Sequence, residues 1–259
     1  MLGKLTKYEF KYMARIFPLL YVALIVVAAA SKLFFVFSDR YQWLDIMNGF
    51  SIFAFVILLM ATMVLPTIML VMRFYKSMVG DEGYLTFTLP VAPYEILLSK
   101  LINAALWTVF GFIAIIASIS IFFTGVPDLW KEITEQFEVF GNYKLDLTIL
   151  IVELIITAFF AMIAGFCHLY AAMSVGQTAG KHKVGMSVGA YFGIYFVLQI
   201  LQSLLLMLLT KLQQILLPGE LSLSGISVLI GIYGLYYVII SVVLFFISSS
   251  ALTKRLNLE

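Results

Sequence analysis

Charge is what this sequence has least of: Lys, Arg, Asp and Glu make up 12% of its 259 residues, against about 25% in an ordinary soluble domain. The formal net charge of +2 is too small to point to nucleic acid. One cysteine, Cys167, excludes a disulfide framework and a thiolate metal cluster; inside an apolar run it reads as a small buried hydrophobe. Two histidines, His168 and His182, have no acid or thiolate at ligand spacing, so no metal is expected. A phosphate-cradling loop is missing too. Gly176-Gln177-Thr178-Ala179-Gly180-Lys181-His182 comes nearest, but a P-loop needs four residues between its glycines and Ser or Thr after the lysine. The segment reads as a turn. No catalytic residue, ATP site or cofactor is expected within the chain. With no internal repeat and no low-complexity linker, residues 1–259 read as one domain.

What fills the space is apolar. Hydrophobic residues make up 63% and the mean hydropathy is +1.07, more than one water-soluble core can bury. Six runs, each bounded by charge or turn residues, reach the roughly 20 residues that span hydrocarbon: 17–37, 50–72, 96–123, 147–173, 184–209 and 226–250. They are continuous rather than alternating, which predicts helices that satisfy their own backbone and not barrel strands. The fold class expected is therefore all-α, a polytopic membrane protein with six transmembrane helices.

Orientation follows from the distribution of Lys and Arg. Eleven lie in the N-terminal segment, the second-to-third and fourth-to-fifth connections and the tail (Lys4, Lys7, Lys11, Arg15, Arg73, Lys76, Lys100, Lys181, Lys183, Lys254 and Arg255), and five on the other side. Both termini are thus expected in the cytoplasm. Lys-rich residues 1–15, an apolar run and Ala28-Ala29-Ala30 imitate a signal peptide, but the run continues through Leu33–Phe37, as an uncleaved span does. Tyr41, Trp43 and Trp130 fall at outer interfaces, as in aromatic belts.

Two connections hold more than a crossing requires. In residues 1–16 the basic side chains recur at helical spacing while Leu2, Leu5, Tyr12, Met13 and Ile16 fall toward another face. Either this is an amphipathic interfacial helix or the lysines only fix orientation. The second-to-third connection, 73–93, mixes acids, aromatics and leucines between Gly80, Gly83 and Pro90, which predicts a short helix or turn with an apolar side offered to a partner. Pro93 suits the first turn of the third span, with Glu95 at its positive end.

The run Gly80-Asp81-Glu82-Gly83-Tyr84-Leu85-Thr86-Phe87-Thr88-Leu89-Pro90-Val91, then Glu95-Ile96-Leu97-Leu98-Ser99-Lys100-Leu101, resembles the second-to-third-span loop of ABC-2 type transporter permeases of Gram-positive bacteria. Ser174-Val175-Gly176-Gln177, Lys181-His182-Lys183-Val184-Gly185 and Ala190-Tyr191-Phe192 are similar to their fourth-to-fifth connection, and the likeness covers essentially the whole chain. It implies a permease of the bacterial cell membrane that pairs with a second permease, the same or different, and with cytoplasmic ABC ATP-binding subunits that bind and hydrolyse the ATP. By this resemblance Gly80, Asp81, Glu82, Gly83, Tyr84, Leu85, Thr86 and Leu89 form a coupling helix against the ATPase, and Lys181, His182 and Lys183 a smaller contact. Residues 211–224 match short helices before the last span. The acidic outer loop 124–146 matches nothing specific to the family.

Polar groups inside spans are functional candidates because hydrocarbon makes them costly. Glu153 and Lys32 either pair in an outward-facing cavity or snorkel separately to the interface. Gln199 and Gln202 either line a polar path or bond between helices. His168 reads as a structural histidine. Gly185, Gly189 and Gly193 put small surfaces on one helical face and predict close packing, within the chain or against a second permease. The function expected is export of a lipid, peptide or hydrophobic drug-like substrate. The alternative is a secondary transporter or channel working without an ATPase, for which Pro66 and the glycine series are the only hints. An intramembrane enzyme would need acids and histidines facing one another, which two isolated histidines do not supply.

Overall fold

The computed structural model describes residues 1–38, 43–78, 80, 82–83, 88, 90–124, 144–178, 182–216 and 223–254. Among them the regular structure is helical, in seven main helices: α1 (Leu2–Met13), α2 (Phe17–Ser38), α3 (Trp43–Met78), α4 (Pro93–Phe123), α5 (Lys144–Gly176), α6 (Lys183–Leu216) and α7 (Leu223–Lys254). The six from α2 to α7 are long and apolar enough to cross a membrane, and the fold fits a multi-pass membrane protein.

Each span contains its sequence-predicted run, and most continue past it. At 36 residues α3 is about 54 Å long, against about 30 Å of hydrocarbon, so its ends reach polar surroundings, where residues such as Arg73 and Lys76 are tolerated. It runs through Pro66 unbroken, as spans tolerate. Pro93 opens α4 with Glu95 in its first turn. Helix α6 continues to Leu216, so Lys211–Leu216 extends a span instead of forming a separate short helix. Nothing before Pro218 forces a stop, and a proline disfavours helix in the residue ahead of it.

The chain divides into two compact units. The first comprises Met1–Met72 and Ile102–Asn142. Helix α1 half-buries Leu2, Leu5, Thr6, Glu9 and Phe10 and buries Met13, leaving Lys4, Lys7, Tyr8 and Lys11 exposed. Tyr12 and Ile16 are exposed; Ile16 lies past the end of the helix, where its N–H bonds the Met13 carbonyl in a turn. The Asn103 amide on α4 donates to the Thr6 carbonyl at 3.1 Å. Trp107 stacks on Phe10 (centroids 4.7 Å apart) and meets Phe17 edge-on at 5.3 Å. The Tyr21 hydroxyl donates to the Trp107 carbonyl at 2.8 Å, and the ring fits because Gly111 carries no side chain: a Cβ there would lie 3.2 Å from the hydroxyl oxygen. Further along, Leu24, Ala28, Phe55 and Ile115 form a core closed by the Phe55–Phe122 stack at 5.2 Å.

The second unit comprises Arg73–Leu101 and Tyr143–Glu259. In it α5 packs along α7 and α6, around Cys167, Ala171 and Leu244. Thr157 on α5 donates to the Ile230 carbonyl at 3.3 Å, and Gly234 admits that hydroxyl, since a Cβ would lie 3.0 Å from it.

Candidate functional site

The candidate site lies in the second unit, where the last turn of α3 meets the end of α5. The last carbonyls of a helix have no intrahelical donor, and buried ones need another. Met78 is fully buried, and its carbonyl accepts from the Gln177 side-chain amide at 3.0 Å. One turn earlier Phe74 stacks on Tyr170, centroids 4.2 Å apart. The chain leaving α3 folds back through two glycines: the Gly80 N–H bonds the Tyr75 carbonyl at 2.9 Å and the Gly83 N–H bonds the Gly80 carbonyl at 2.8 Å. At Gly83 a Cβ would lie 3.0 Å from the Met78 carbonyl oxygen, so only glycine leaves that acceptor uncrowded. Arg73 Nη1 donates to Glu82 Oε2 at 2.9 Å, an ion pair whose carboxylate side is 54% exposed.

The end of α5 is equally close to the start of α6. A Cβ at Gly176 would fall 2.6 Å from both Cα and N of Ser187, and closer still to its hydroxyl. The His182 carbonyl accepts the Met186 N–H at 2.9 Å and so begins α6, with its side chain exposed, and Lys183 follows as the first helical residue. Gly80, Glu82, Gly83, His182 and Lys183 are thus described. Asp81, Tyr84, Leu85, Thr86, Leu89 and Lys181 lie outside the described residues, as do Tyr41 and Trp130.

The intramembrane candidates have partners within their own units. Lys32 Nζ donates to Thr124 Oγ1 at 3.1 Å in the first unit. In the second, the Ser227 hydroxyl on α7 donates to the Glu153 carboxylate, 2.6 and 2.8 Å from its two oxygens. Gln199 and Gln202 line one cavity together with His168. His168 is buried, stacks flat on Tyr191 at 4.5 Å and donates through Nε2 to the Tyr191 carbonyl at 3.0 Å. At Gly185, Gly189 and Gly193 an added Cβ meets nothing within 4 Å in this chain; among the described residues, glycines that admit a neighbouring helix closely are at 111, 176 and 234.

Sequence reasoning quoted Gln177 and Gly176 only as parts of a motif and did not foresee their contacts. Lys100, counted there as an orientation charge, is buried at 5% exposure. A buried cation needs company, and Lys100 has interactions of its own. No family model matches the sequence, and no curated protein or solved structure matches it.

Proposed function

We propose that this chain is the membrane-spanning subunit of an ATP-driven exporter of the ABC-2 type, worked by a separate ATP-binding subunit. The observation that supports it most directly is the bond from Gln177 to the Met78 carbonyl, because it ties together the two connections that resemble the coupling segments of such permeases. A partner that pushes on the 80–89 segment moves the ends of α3 and α5 together. The exposed Glu82 carboxylate offers that partner a negative charge. In this reading both termini and both connections face the cytoplasm, α1 rests at the membrane interface on its half-buried stripe, and a second permease completes the translocation path. The open face at Gly185, Gly189 and Gly193 suits such a neighbour. The cargo is a lipid, peptide or hydrophobic drug-like molecule.

The test is co-purification of the full chain with an ATP-binding protein whose hydrolysis it changes. Asp81→Lys with Glu82→Lys should abolish that association while membrane insertion stays as in the wild type. Association that survives the double reversal, or vesicles holding only this chain that pump cargo on an ion gradient, would overturn the proposal.

A further inference from the structure

Helices α5, α6 and α7 line a cavity of about 170 Å³ that is open on one side, where Gly165, Tyr195 and Gln199 are exposed. Ala161, Ala164, Gly165, Leu198 and Ile240 give it an apolar floor. Against that floor stand His168, Gln199, Gln202 and three tyrosines, and among the described residues no Asp, Glu, Lys or Arg lines it. Hydrocarbon penalises polar groups without partners. Among the described residues neither the Gln199 nor the Gln202 side-chain amide forms a hydrogen bond. Tyr236 is already committed, donating to the Leu198 carbonyl at 3.2 Å, and so braces α7 against α6 at the cavity wall. His168 has spent one nitrogen: a carbonyl can only accept, so Nε2 carries the proton to Tyr191, and Nδ1 of the neutral ring keeps a lone pair.

We infer that this cavity is a binding site for an uncharged amphiphile that inserts one ring-sized group bearing hydroxyl or amide functions. Size sets the first limit, since a protein cavity of about 150 Å³ takes one benzene ring. Lining sets the second: two amides that both donate and accept, with an imidazole acceptor, match a neutral group that makes several hydrogen bonds, and nothing in the wall balances an ion. The opening lets the remainder of a longer molecule stay outside in lipid. The site does not depend on an ATPase, so it stands or falls separately from the exporter reading.

The geometry supplies its own blocking variant. Gly165 lines the cavity, and a Cβ added there meets nothing within 4 Å, so the Gly165→Leu side chain starts in open space and extends into the cavity. The full chain in phosphatidylcholine nanodiscs is labelled with a diazirine-bearing phenol and the adducts are mapped by mass spectrometry, with p-cresol or toluene as competitor. The expected result is saturable labelling within 161–168, 195–202 and 236–240, with p-cresol displacing the probe at about tenfold lower concentration in the membrane than toluene. Gly165→Leu should abolish the saturable labelling. Gln199→Leu with Gln202→Leu should keep the labelling but shrink the p-cresol preference to what the His168 acceptor alone supplies. Unsaturable labelling spread evenly over the lipid-facing helices would overturn the inference, and so would labelling unchanged in Gly165→Leu. If Gly165→Leu lowers the melting temperature, the glutamine pair decides alone, and a p-cresol preference undiminished without the two amides sinks the site.

Discussion

The Gln177 side chain donates to the main-chain carbonyl of Met78 across 99 positions of sequence, and both residues are buried. A single amide thus completes the end of α3 from the end of α5. Gln177→Leu removes the donor and strands a buried carbonyl, which costs about 1–3 kcal/mol. Gln177→Glu should be at least as harmful, because a carboxylate accepts only. Thermal unfolding in detergent is the measurement, and variants that melt with the wild type would show the bond to be dispensable.

Glycine substitutions should separate close approach from open space. Gly176→Ala drives a methyl into the Ser187 backbone and should destabilise by about 1–3 kcal/mol. Alanine at 185, 189 or 193 meets nothing in this chain and should be neutral or stabilise by up to about 1 kcal/mol. The same melting curves rank them, and the opposite order would refute the packing described for α5 and α6.

In the first unit, Tyr21→Phe loses one buried hydrogen bond, about 1 kcal/mol. Gly111→Ala crowds the Tyr21 hydroxyl and should cost about 1–3 kcal/mol. Together they should cost less than their sum, because removing the hydroxyl removes the atom that the new methyl meets first. Strict additivity in a double-mutant cycle would deny the contact.

Those glycines show where sequence reading stops. The six spans were legible because continuous apolar runs of sufficient length have one stable solution in lipid. Their ends were not, since helices continue through polar turns once the hydrocarbon is passed, as α3 does through Arg73 and Lys76. Spacing singled out Gly185, Gly189 and Gly193, which recur every four residues. Gly111, Gly176 and Gly234 have no such rhythm; each is required by a partner on another helix, Tyr21, Ser187 or Thr157. In the same way Gln199 and Gln202 could be picked out as polar in an apolar helix, but not their company with His168 around one cavity.

A fourth test concerns Glu153 and Ser227. Glu153→Leu and Ser227→Ala should couple by about 0.5–2 kcal/mol in a double-mutant cycle, because each removes the same hydrogen bond. Zero coupling in unfolding measurements would mean that the carboxylate is held by something else.

That bond has a neighbour. Four residues along α5, Thr157 bonds α7 at Ile230, three residues along from Ser227. Sliding α7 lengthwise by one helical turn, about 5.4 Å, would sever both rungs at once. The pair therefore holds the register between α5 and α7, so lengthwise slip of one against the other is what these two bonds oppose together.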